Sequence, residues 1–160
     1  MVEQDQDMTR SFAFDASAVA VRPPYPPDMQ VAALCWRKVK GKKKVLLVTS
    51  RDTGRWIVPK GWPIDGMNAA ESALQEAWEE AGVRGTASKA KLVGTFSYDK
   101  RLDNGTSRPL IALVYKLRVR KRDLSDRFPE VEERERLWLH PKKAAKLVDE
   151  PELQEILRRF

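Results

Sequence analysis

The chain has 160 residues, 42% apolar and 33% charged, which is enough for about one domain with a sizeable core. Its single cysteine (Cys35) and single histidine (His140) exclude an intrachain disulfide framework and a Cys/His zinc cluster, so any metal must sit on oxygen ligands. The formal charge is +7, and no run approaches the ~18 apolar residues of a membrane span.

The acidic opening, Met1 to Asp5, shows no apolar signal segment, so a reducing cytoplasmic location without a membrane partner is expected. The charge is unevenly spread. Residues 37–60 hold nine Lys/Arg and one acid, Asp52, whereas residues 65–80 hold five acids and no base. A basic block beside an acidic one points to an anionic ligand near a cation site. Residues 38–44 taken alone read as a solvated hairpin turn.

Residues 1–28, acidic and then Pro-rich, are expected to form a loose arm preceding a domain over 29–160. Apolar runs at 31–36 and 45–49 flank Lys40-Gly41-Lys42, a strand–turn–strand signal. Trp56-Ile57-Val58 reads as a short strand stopped by Pro59. Residues 68–81 are the best helix, with Asn68 as N-cap, Glu71 at capping-box spacing and Gly82 as the stop. Strands follow at 91–98 and 110–119 around Asp103-Asn104-Gly105, and a last one at 137–139. Residues 142–148 and 151–160 read as closing helices, with Pro151 suited to a first turn. Strands mixed with helices in this order predict one α/β domain.

The chemistry concentrates on the helix at 68–81. At ~3.6 residues per turn, Glu76, Glu79 and Glu80 share one face. Ala70, Leu74, Ala77, Trp78 and Ala81 form the opposite face, suited to packing on a sheet. Crowded carboxylates repel one another unless a cation sits between them, and Mg2+ or Mn2+ on oxygen ligands meets that need.

From Gly61 the chain runs five residues to Met67, then seven more to Gln75-Glu76-Ala77-Trp78-Glu79-Glu80-Ala81-Gly82-Val83. This resembles the Nudix box, which reads Gly, five residues, Glu, seven residues, Arg-Glu-apolar-any-Glu-Glu-any-Gly-apolar. Two positions depart: Met67 stands for Glu and Gln75 for Arg. Residues 55–61, 94–98, 137–139 and 144–148 are similar to the diphosphoinositol polyphosphate phosphohydrolase branch and its bacterial relatives, with coverage over roughly 29–160.

The resemblance implies an α/β Nudix fold, an α/β/α sandwich with a mixed β-sheet and the box helix packed on it. It implies a hydrolase acting on phosphorus-containing acid anhydrides, with Mg2+ or Mn2+ as cofactor. Glu76 and Glu80 match metal ligands, and the carbonyl of Lys60 would complete the shell. Glu79 matches the catalytic base, with loop residues Glu130, Glu132 and Glu133 as alternatives. Gln75 can still donate a neutral hydrogen bond to Glu79, a loss of ~1 kcal/mol against a charged one. Met67 is expected to pack as an apolar plug.

For substrate, Arg51 matches a phosphate-contacting arginine of the inositol branch. Lys100 and Arg101 fall near a second basic contact and Arg136 near a third, while Arg55 and Lys60 add cations on the approach to the box. The basic cluster that branch carries before its first strand is replaced by Asp28, Met29 and Gln30. A nucleoside-polyphosphate substrate is therefore expected, dinucleoside polyphosphates first. Diphosphoinositol polyphosphates, or a catalytically weak phosphate-binding module with a degenerate box, are the alternatives.

Trp36, Trp56, Trp62 and Tyr98 could stack on a base or fill the core, and His140 reads as structural. The sequence argues against a nucleic-acid partner, because neither a helix-turn-helix nor an interleaved aromatic-and-basic strand pattern is present. A monomer or a homodimer is expected.

Overall fold

The computed structural model describes residues 23–160. Residues 1–22, most of the expected arm, lie outside the described residues. The strands are β1 (Met29–Val39), β2 (Lys42–Thr49), β3 (Trp56–Ile57), β4 (Lys60–Gly61), β5 (Lys91–Arg101), β6 (Ser107–Arg118) and β7 (Arg136–Leu139). The helices are α1 (Ala69–Ala81), α2 (Pro141–Leu147) and α3 (Pro151–Arg159). Every expected element is present. The two-residue β4 was not expected, and β1 and β6 outrun their apolar stretches because ladder bonds continue through their polar ends.

The seven strands form one mixed sheet in the order β3-β2-β1-β6-β5, with β4 on β1 and β7 on β2. β1 and β6 are parallel, and the other pairs are antiparallel. Alternation along each strand divides the core into two layers. Val31, Ala33, Cys35, Leu46, Val48, Leu113 and Tyr115 pack with the alanines of α1. Ala32, Leu34, Val45, Leu47, Ala112 and Val114 pack with α2 and α3. The result is the expected α/β/α sandwich.

β1 and β2 leave their hairpin as a pair, then splay. β1 pairs with β2 only through residues 36–39 and 42–45, beyond which Val31 and Ala32 pair with β4. β2 continues instead against β3 through Val48 and Thr49. Residues 56–61 therefore fill the fork, with Pro59 at the crossing. Proline lacks the N–H a ladder needs there, and its carbonyl accepts the Ala33 N–H at 2.9 Å. The fork delivers Lys60 and Gly61 onto α1.

The signals at the ends of α1 operate as expected. The Glu71 N–H donates to the Asn68 side chain and the Asn68 N–H to the Glu71 carboxylate, both at 2.8 Å. Gly82 ends the helix at φ 70°, with its N–H on the Trp78 carbonyl at 3.0 Å. A Cβ at Gly82 would stand 2.4 Å from the Ser125 carbonyl oxygen, so only glycine fits. The side expected on the sheet is mostly buried, but Trp78 is only half-buried, under the Arg84 guanidinium 3.8 Å from its ring centre.

Candidate active site

α1 turns Glu76, Glu79 and Glu80 towards β4 and the fork, at the floor of a cleft of about 530 Å3. This acidic face is not the solvent-facing surface that such a charge run usually forms. Glu80 is 5% exposed, and the Lys60 N–H donates to its Oε1 at 3.4 Å. The close approach of β4 explains the first glycine of the motif, since a Cβ at Gly61 would fall 2.3 Å from the Glu76 carboxyl carbon.

Burial raises the Glu76 carboxyl to about 8, reinforced by a hydrogen bond and the charge of Glu80 beside it. Burial also raises Glu80, opposed chiefly by the nearby Arg134 cation. Two desolvated carboxylates forced together, with backbone pressed against them, are an all-oxygen donor set for a hard cation. Mg2+ commonly takes one or two protein carboxylates and leaves other positions to water and substrate phosphates. No group of three or more acidic, His or Cys side chains is clustered so as to hold a metal ion among the described residues.

Glu79 lines the same cleft, and Gln75 Nε2 donates to its Oε1 at 3.2 Å, the neutral bond expected from the departure at that position. Met67 is half-buried and does not line the cleft. Of the three loop glutamates, only Glu130 reaches the cleft. Its N–H donates to the Glu79 carbonyl at 2.9 Å, docking the loop on α1. Glu133 is drawn 3.7 Å from Arg51 at the surface, and Glu132 is exposed outside the cleft.

The sequence reading missed Arg134. Its side chain is 8% exposed, 3.5 Å from Glu80 and 2.7 Å from Glu130, and Nη1 donates to the Thr49 carbonyl at 2.8 Å. It places a fixed cation between two cleft carboxylates. No one-dimensional spacing announces it, because β2, α1 and the loop meet only in the fold. Gln30 was missed as well: buried at the start of β1, it accepts a hydrogen bond from the Tyr98 hydroxyl.

The expected substrate cations divide into groups. Arg51, Lys60 and Lys100 line the cleft, and Arg55, Lys60, Lys100 and Arg101 line an adjoining hollow of about 420 Å3. Lys60 Nζ donates to the Tyr98 hydroxyl at 3.0 Å, and burial lowers this ammonium to about 8. Arg55 is already neutralised by the buried Glu150, at 2.8 Å. Arg136 lies elsewhere. Its guanidinium bonds the Ala81 and Ser125 carbonyls at 3.0 Å and Asp126 at 2.8 Å, so it closes the end of α1 and does not face the cleft.

The aromatics separate too. Trp36 and Trp56 pack against the core, and Tyr98 holds Lys60, while Trp62 is 40% exposed on the cleft wall. Lys100 Nζ stands 5.2 Å from the Trp62 ring centre. His140 is structural, its Nδ1 accepting the Lys142 N–H at the start of α2.

The family model described as the NUDIX domain matches residues 28–160. The chain belongs to the Nudix family. Human diphosphoinositol polyphosphate phosphohydrolase 3-alpha is 34% identical over 71 residues, covering 44% of this chain and 42% of that protein. Nudix hydrolase 13, mitochondrial, of Arabidopsis thaliana is 30% identical over 130 residues, covering 76% of this chain and 61% of its own length. The Nudix chain thus aligns with less than two thirds of either relative.

Among solved structures, an Ap4A hydrolase of C. elegans superposes with a TM-score of 0.58 at 21% identity, over 82% of this chain and 94% of that one. The NUDIX domain of Shewanella oneidensis NrtR complexed with ADP ribose gives 0.58 at 17% identity, over 85% and 93%. These likenesses establish the Nudix fold. Among the described residues, no helix is long and apolar enough to cross a membrane.

Proposed function

We propose that this Nudix protein is a divalent-cation-dependent pyrophosphohydrolase of nucleoside polyphosphates, dinucleoside polyphosphates first. The observation that carries the reading is the Glu76–Glu80 pair held against Gly61, at the floor of a cleft whose walls carry Arg51, Lys60 and Lys100. When bound there, Mg2+ or Mn2+ supplies charge neutralisation on the bridging phosphates and lowers the pKa of water. Glu76 and Glu80, with the Lys60 main chain, would hold the ion.

Glu79 accepts the proton of the attacking water. Glu130 already accepts two bonds from the Arg134 guanidinium, at 2.7 and 3.1 Å, whereas among the described residues Glu79 takes one neutral donor, Gln75. Glu79 is therefore the freer base. Arg51, Lys60 and Lys100 neutralise phosphate oxygens, Arg101 extends the basic wall, and Trp62 offers a face to a base.

The diphosphoinositol polyphosphate reading, which the names of the relatives raise, is disfavoured at the start of β1. Asp28 is paired with Arg108 and Gln30 is bonded to Tyr98, so neither position supplies the cation that branch carries there. The lone, buried Cys35 agrees with a reducing cytoplasmic location.

The test is a kinetic comparison of diadenosine pentaphosphate with ADP-ribose, each with Mg2+ and with chelator. Metal-dependent cleavage with the higher kcat/KM for the pentaphosphate is expected. A higher kcat/KM for ADP-ribose would overturn the long-polyphosphate reading, and absence of cleavage on both would overturn the hydrolase.

A further inference from the structure

The basic run at 37–44 takes no part in the active site, and the fold enlarges it. On the sheet face that carries α2 and α3, Lys38 lies directly opposite Lys43. In the next rows Trp36 lies beside Arg118, and Leu34 beside Lys116, which in turn lies opposite Lys91. Five cations thus share one face at one end of the sheet, on a lattice of about 5 Å across strands and about 7 Å along them. The fork opens at Val31 and Ala32, about 20 Å by strand rise from the Lys38 row and about 7 Å from the Leu34 row.

Like charges meet across this face with no side-chain carboxylate between them. Lys38–Lys43 and Lys91–Lys116 are like-charge pairs directly across a ladder, an arrangement that costs stability. Among the described residues, none of the five cations has a side-chain carboxylate within 4.0 Å. Lys43 Nζ donates instead to the Phe160 main-chain oxygen at 3.1 Å.

The cations also surround aromatic rings. Lys43 Nζ lies 5.1 Å from the Trp36 ring centre and 4.3 Å from that of Phe160, and Arg118 lies 5.2 Å from Trp36. Trp36 and Phe160 meet edge to face at 5.9 Å. The interleaving of aromatic and basic groups that the strands lack along their length is built across them.

We propose that this face docks the phosphate backbone of single-stranded nucleic acid. A patch of cations without side-chain carboxylate partners, spread over four strands, fits a chain with one charge per nucleotide, and half-buried aromatic rings beneath them offer edges to unstacked bases. An anionic membrane is the poorer fit. The rings lie under the cations, and the exposed Val39 belongs to the opposite face by its register.

The test is fluorescence anisotropy of labelled 20-nucleotide oligo(U) and oligo(dT) with the full chain at several salt concentrations. Binding that weakens with salt along a log–log slope of about −3 is expected, as four to five neutralised phosphates give. The triple variant Lys38→Glu, Lys91→Glu, Arg118→Glu should bind at least ~10-fold more weakly, whereas Arg127→Glu, Lys142→Glu, Lys146→Glu with the same charge change should not. The milder Lys38→Gln, Lys91→Gln, Arg118→Gln set guards against loss of fold and should flatten the slope by about 2.

Equal losses in the two Glu triples would overturn the proposal by showing that net charge alone is read. So would binding to phosphatidylserine vesicles without binding to either oligonucleotide. The RNA and DNA arms decide which sugar is preferred. Cleavage of small polyphosphates should persist in the face variants, so this test and that of the hydrolase fail independently.

Discussion

Gly61 illustrates how one missing side chain organises the cleft. With no Cβ, β4 lies directly on the Glu76 carboxylate. Gly61→Ala should push that carboxylate aside. Because the obstacle is the flexible end of a side chain, the expected result is at least a ~10-fold loss of kcat/KM with little change in thermal midpoint. Parental activity in a folded Gly61→Ala would refute the role given to Glu76.

Gln75 is a second single-residue case. It keeps a neutral bond on Glu79 where the family pattern has a charged one. Gln75→Arg should hold or raise the rate by ordering Glu79 better. A clear drop in a folded variant would mean that the cleft is built around glutamine, with Arg134 already supplying the cation that an arginine at 75 would duplicate.

Cys35 lies wholly within the layer between β1 and α1. Burial pushes its thiol up to about 12. The folded state therefore holds this proton more tightly than the unfolded chain, whose thiol titrates near 8.5. Its contribution to stability is complete below that value and is lost as pH rises towards 12. Denaturant midpoints measured from pH 8 to 11 should fall less steeply for Cys35→Ala than for the parent. Identical slopes would count against the shift.

At the scale of elements, α1 shows which features are legible in sequence. Its N-cap, capping box, stop glycine and carboxylate face are all local, set by residues three and four positions apart, so spacing alone reveals them. Asn68→Ala removes the side-chain acceptor and leaves the Glu71 N–H unpaired, a cost of about 1 kcal/mol. Urea titration should show that loss with an unchanged m-value. Because the helix carries the proposed metal ligands, activity should fall only in the fraction of molecules unfolded.

The strands in the fork behave differently. β4 has two residues and no propensity of its own. It is a strand because β1 leaves β2 and exposes a ladder edge there. Arg136 was expected among the substrate cations from the resemblance to the diphosphoinositol polyphosphate branch. In the fold it closes the end of α1, because the Ala81 and Ser125 carbonyls converge at that point.

At the scale of the whole molecule, the Glu76–Glu80 pair couples the active site to stability. The folded state holds two carboxyls close together in a buried setting, and a cation bound only there favours folding by mass action. Adding Mg2+ above its dissociation constant should raise the thermal midpoint, and chelation should reverse the gain. Glu80→Gln should remove most of that response and cost at least ~100-fold in rate with the fold intact. A Glu80→Gln protein that keeps both the Mg2+ shift and the parental rate would overturn the metal assignment.

By itself the sequence determined one α/β domain, the box helix with its caps and the acidic trio, while the resemblance to the Nudix box supplied the layer architecture. The elements and the trio rest on periods of two and 3.6 residues or on fixed spacing, which survive in one dimension. Only the tertiary structure decided which cations face the carboxylates. It tied Arg136 to a helix end, neutralised Arg55 with Glu150, brought Arg134 between Glu80 and Glu130, and left Trp62 exposed on the cleft wall. A long charged side chain reaches several partners, and the partner it takes is set by where strands far apart in sequence come to lie.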